Sequence, residues 1–82
     1  MKYSELYANR ILELCKRQGI TLNRLATLSG VKQSTLDNII HGKSLNPKVR
    51  TLHKIAVTFN MTLSEFLDFP ELNDYLIDED DD

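Results

Sequence analysis

The chain has 82 residues, with ten Lys or Arg against twelve Asp or Glu and a formal net charge of −2. One domain is expected, since domains run roughly 50–250 residues, and a domain this small buries only about 60–65% of its unfolded surface, which argues against a large enclosed active site. At 41% hydrophobic and 27% charged residues the composition is that of an ordinary soluble globular protein, and no apolar run approaches the ~18–20 residues of a membrane span. The first predicted helix covers about residues 4–17, because Tyr7, Ile11, Leu14 and Cys15 fall at i, i+4, i+7 and i+8. Gly19 stops it. Thr21 caps a second helix carrying Leu22, Leu25, Ala26 and Leu28, which ends at Gly30. A third, about residues 32–41, turns Leu36, Ile39 and Ile40 inward and closes at Gly42. Asn46 and Pro47 read as N-cap and first residue of a fourth helix with the stripe Val49, Leu52, Ile55, Ala56 and Phe59. Thr62-Leu63-Ser64-Glu65 is a capping-box pattern opening a fifth helix on Leu63, Phe66 and Leu67, which Pro70 stops. No stretch alternates cleanly enough to argue for a strand. The expectation is an all-α, compact five-helix domain over residues 1–70, followed by an acidic tail over residues 71–82.

The tail ends in Asp78-Glu79-Asp80-Asp81-Asp82, which self-repulsion should keep disordered. Tyr75, Leu76 and Ile77 just before it are too apolar for pure solvation. Together with Phe66, Phe69 and Leu72 they either form a dimer patch or fold back on the domain. The acidic cluster either solubilises or competes with a polyanion for the basic face.

Charge is not evenly spread. All ten basic residues lie between Lys2 and Lys54, with only Glu5, Glu13 and Asp37 against them, so residues 1–54 carry +7. Residues 55–82 hold nine acids and no Lys or Arg, hence −9. The slight overall acidity would argue against a nucleic-acid partner; its distribution restores one, as a basic face followed by an acidic segment.

The stretch TLNRLATLSGVKQSTLDNIIHGK, residues 21–43, is the informative one. It holds two short helices joined by a tight turn at Gly30, with small Ala26 where they cross and Val31, Leu36 and Ile39 pinning the second helix. Such a pair can lay its second helix in a DNA major groove. On a helical wheel, Ser34, Asp37, Asn38 and His41 lie opposite the apolar side, with Gln33 and Thr35 flanking. That face is rich in short polar and amide groups. Gln and Asn can bond adenine bidentately, and Ser or Thr can bond several base edges. Lys43, Ser44, Asn46 and Lys48 crowd the following loop, where cations, hydroxyls and amides could grip phosphate.

The chain resembles the Cro and phage-repressor (XRE) helix-turn-helix family over about residues 10–69. Leu25-Ala26, Gly30-Val31, Leu36, Ile39, Gly42-Lys43, Asn46-Pro47 and Leu63-Ser64-Glu65-Phe66-Leu67 carry the resemblance, all in register. It implies a transcriptional regulator, a repressor in the main reading, that binds double-stranded operator DNA as a homodimer, with half-sites about one helical turn apart. It further implies that Lys32, Gln33, Ser34 and Asn38 read bases. Thr21, Thr35, His41, Lys43, Asn46 and Lys48 become phosphate contacts, with Ser44 in the same loop. Three positions depart from the pattern. Leu22 stands where the family often has a phosphate-bonding Gln, with Asn23 a substitute. Lys32 stands where a Ser or Thr usually caps the reading helix, at about 1 kcal/mol of capping. Ile40 and Cys15 stand where the family often pairs an acid with an Arg.

Other classes are weaker on these residues. A protein-interaction module or antitoxin could use the same fold, with its −9 part toward a basic partner. An enzyme would need a convergent catalytic set, a phosphate-cradling Gly-rich loop or a metal cluster, and none is visible. One Cys and the distant His41 and His53 give no metal-ligand spacing. No cofactor and no small-molecule ligand is expected. Cys15 reads as a small core residue that cannot form an internal disulfide, and with the absence of an apolar leader this points to the cytoplasm.

Overall fold

Helix α1, Tyr3–Gln18, is the longest element, and its inward face is Leu6, Ala8, Ile11, Leu14 and Cys15. The computed structural model describes residues 2–44 and 46–77. The acidic run at 78–82 therefore lies outside the described residues. Helix α2, Leu22–Ser29, starts where the Thr21 hydroxyl accepts a hydrogen bond from the Arg24 amide at 3.1 Å. It ends at Gly30, whose φ of 74° is open to glycine and strained for other residues. Helices α3, Gln33–Ile40, and α4, Val49–Thr58, follow. Helix α5, Leu63–Leu67, opens with the full capping box: Thr62 and Glu65 each accept the other's backbone N–H.

All described regular structure is helical. α1 packs against α3, α2 against α4, and α4 against α5. Ile11, Leu25, Leu36, Ile55 and Phe66 are fully enclosed and meet in one cluster to which all five helices contribute. Five separate amphipathic stripes thus make a single core. Arg10, only 9% exposed, ties α1 to α5. Its Nε donates to the Phe66 carbonyl at 2.9 Å and an Nη donates to the Glu65 carbonyl at 3.0 Å. Those are carbonyls of the last turn of α5, where the Glu65 oxygen also accepts the backbone N–H of the C-cap Asp68 at 3.2 Å. The guanidinium also sits 5.1 Å from the Phe69 ring centroid.

The structure departs from the sequence expectation in three places. Helix α4 begins at Val49 with Lys48 as N-cap, two residues later than Asn46 and Pro47 suggested. Val49 is 65% exposed: Leu52, Ile55, Ala56 and Phe59 complete the buried stripe, so nothing apolar holds the chain in a helix before Val49, and Lys48 is extended. Leu28, placed on the inner face of α2, is instead 51% exposed, because it lies about 200° around the helix from Ala26. Pro70 does not simply stop α5, which already ends at Leu67; it opens a sixth helix, α6, Pro70–Asn73. Of the two alternatives left open for the C-terminal apolar residues, Phe66 and Phe69 take the folded-back one and are buried within the domain. Tyr75 folds back edge-on to Tyr3, 5.3 Å between ring centroids, while Leu76 and Ile77 stay exposed.

Candidate nucleic-acid interface

Helix α3 is positioned from below by Leu36 and Ile39, buried in the core, and by Val31 just before it. That fixes which side faces out. Lys32, Gln33, Ser34 and Asn38 are all exposed on it, and Thr35 is half-buried at its edge. Lys32 is the N-cap and makes no side-chain capping bond. The N–H groups of the first turn thus stay open toward solvent beside a cation, a setting that favours an anion.

The loop after α3 is held back onto the helix. The backbone N–H groups of Lys43 and Ser44 both donate to the Asn38 carbonyl, at 2.9 and 3.3 Å. Gly42 permits this with φ of 69°, and a Cβ there would sit 3.6 Å from the Ser4 hydroxyl oxygen. The result is a cleft of about 250 Å³ between α3 and the start of α4, lined by Thr35, Ile39, Ser44, Asn46, Pro47, Lys48 and Thr51. Four of the residues singled out in sequence as backbone contacts, Thr35, Ser44, Asn46 and Lys48, converge there. Lys43 is exposed on the loop leading into it. Lys48, the N-cap of α4, stays extended at its rim, with Asn46 in the bend before it.

Other expected contacts lie elsewhere. Thr21 and Asn23 are exposed at the start of α2, the other helix of the pair. Thr21 uses its oxygen to cap and keeps its O–H free to donate. Leu22, between them, packs against the core. His41 faces a second groove, of about 330 Å³, beside Lys2, Ser4 and Asn9 at the beginning of α1. Cys15 and Ile40 belong to the same apolar packing, and burial pushes the Cys15 thiol above its ordinary pKa.

Sequence reasoning missed two features of this face. Thr51 lines the cleft one turn into α4; its place at i+3 from Lys48 was the available signal. Asp37, half-buried, accepts a hydrogen bond from the Gln33 side-chain nitrogen at 2.9 Å. Gln and Asp at i and i+4 pair on helices, so this too was readable. The bond uses one of the two N–H groups of the Gln33 amide; the carbonyl oxygen and the second N–H are not engaged by it and supply the acceptor and donor that a bidentate contact with adenine uses.

Residues 10–71 match the Cro/C1-type HTH DNA-binding domain. The chain is 42% identical over 60 residues to the HTH-type transcriptional regulator SlrR of Bacillus subtilis (strain 168), covering 72% of this chain and 40% of that protein. It is 35% identical over 75 residues to the HTH-type transcriptional regulator PuuR of Escherichia coli (strain K12), covering 88% and 40%. It thus spans about 40% of the length of these curated relatives. The crystal structure of the prophage Lp1 protein 11 superposes with a TM-score of 0.80 at 36% identity, covering 89% of this chain and 97% of that one.

Proposed function

This chain belongs to the Cro/C1-type helix-turn-helix family and carries its DNA-binding domain, and from that premise we propose that it represses transcription by binding a palindromic or pseudo-palindromic operator as a homodimer. Steric occlusion of a promoter then suffices; no cofactor or small ligand takes part. α3 enters the major groove, with Lys32, Gln33, Ser34 and Asn38 toward base edges. Thr35, Lys43, Ser44, Asn46 and Lys48 hold phosphates along one side, His41 holds one from the groove at the start of α1, and Thr21 and Asn23 hold them from α2. The observation that carries this reading is the exposed polar face of α3 standing directly beside the cleft at Thr35, Ser44, Asn46 and Lys48.

The test is site selection from a random oligonucleotide pool, followed by anisotropy titration of the selected duplex. Replacing Gln33 or Asn38 with Ala should cost about 1–3 kcal/mol each, roughly 5–150-fold, and relax preference at one position. Lys43→Ala and Lys48→Ala should weaken all sequences alike and reduce the salt slope by about 0.9 each. Unchanged base preference in both Gln33→Ala and Asn38→Ala would refute the assignment of the reading helix.

A further inference from the structure

On the far side of α4 a second feature has no role in reading DNA. A groove of about 350 Å³ runs between the end of α2 and α4, with Leu28 and Val57 as its apolar surface and Arg50, His53 and Lys54 around them. It shares no lining residue with the cleft beside α3, and its volume is within the roughly 300–1,000 Å³ of ligand pockets. Leu28 and Val57 are 51% and 63% exposed. The chain also carries its own complement. Leu76 and Ile77, 88% and 72% exposed, are followed directly by five acids.

We propose that this groove takes residues 76–82 of a second copy of the chain, Leu76 and Ile77 seating on Leu28 and Val57 while the acidic run faces Arg50, His53 and Lys54. Reach decides between the two possible donors. Tyr75 is held against Tyr3, the first residue of α1. The groove lies toward the opposite end of α1, where the Gln18 side-chain nitrogen donates to the Phe59 carbonyl at 3.1 Å, two residues past Val57. A 16-residue helix is about 24 Å long, whereas Leu76 and Ile77 extend at most about 7 Å beyond Tyr75. The apolar pair cannot reach its own groove, so the donor is another molecule. Reciprocal exchange, tail to groove and groove to tail, closes as a twofold dimer. Once one tail is seated, the second contact forms within the complex at high effective concentration.

Sedimentation equilibrium of the full chain tests this. A concentration-dependent dimer is expected, weakened by about tenfold or more both by Leu76→Ser with Ile77→Ser and by Lys54→Glu with Val57→Glu. All four positions are exposed, so melting curves should show each variant folded. A labelled peptide of residues 74–82 should bind the tail variant, whose groove is intact and empty, and should not bind the groove variant. Added salt should weaken that binding. A chain that stays monomeric, a dimer indifferent to both variants, or a peptide that binds both variants alike overturns the proposal. Affinity for a duplex with a single half-site reports on DNA reading separately, so the two can fail independently.

Discussion

Arg10 separates structural charge from binding charge, and Arg10→Met is the change that shows it. Methionine keeps an unbranched apolar stem along Phe66 and Phe69 and removes the guanidinium. What is lost is two hydrogen bonds to the carbonyls of Phe66 and Glu65, each about 1.5–3 kcal/mol from a charged donor, and ring contact at 5.1 Å to Phe69, about 1 kcal/mol. These share one group and do not add in full, so about 3–4 kcal/mol is expected. A chain of 82 residues has roughly 4–12 kcal/mol in total, so the loss is a quarter or more of it. At about 4–8 °C per kcal/mol for a domain this size, Tm should fall by at least about 12 °C. Urea titration followed by helical circular dichroism measures this. Below that Tm the variant should bind operator with unchanged salt dependence, because the charge is spent inside the domain and is not available to phosphate. A cost under about 1 kcal/mol, or a reduced salt slope, would refute the reasoning.

Two further substitutions probe helix starts. Lys32→Thr should stabilise the fold by about 1 kcal/mol, since Lys32 caps nothing and Thr can accept an N–H of the first turn; the same change should lower DNA affinity by removing a cation from the reading face, which paired denaturation and binding curves will show. Glu65 has its pKa lowered by accepting the Thr62 backbone N–H and by the Thr62 side chain, so its stabilising contribution is full above the unfolded-state pKa and is lost as pH falls through the lower folded value. Glu65→Gln should flatten the acid end of the stability–pH curve relative to the unaltered chain; an equal acid slope in both would remove Glu65 from that role.

Local order was legible because each helix announces itself within a few residues. Thr21 and Thr62 cap where short polar oxygens precede apolar runs, and Gly30 ends α2 where a positive φ is needed. The polar face of α3 follows from period alone once Leu36 and Ile39 are inside. What period cannot say is how far a stripe must extend to fill the core. Hence Val49, placed inward, stands exposed: Leu52, Ile55, Ala56 and Phe59 already complete the buried stripe of α4. Pairings between residues distant in sequence were equally out of reach. Arg10 looks like any member of the basic half until the end of α5, 55 and 56 residues away, presents its carbonyls.

By itself the sequence determined an all-helical chain, a helix-turn-helix with a polar outer face, and a division of charge near residue 54, because capping, turn and period are properties of neighbouring residues. Only the tertiary structure decided which charges face outward together. It withdrew Arg10 from the basic face into the core, gathered Thr35, Ser44, Asn46 and Lys48 around one cleft, and set Arg50 and Lys54 beside an apolar groove on another side of α4. Which face a charge serves depends on the packing angle of its helix against the others, and that is fixed by contacts made across the whole chain.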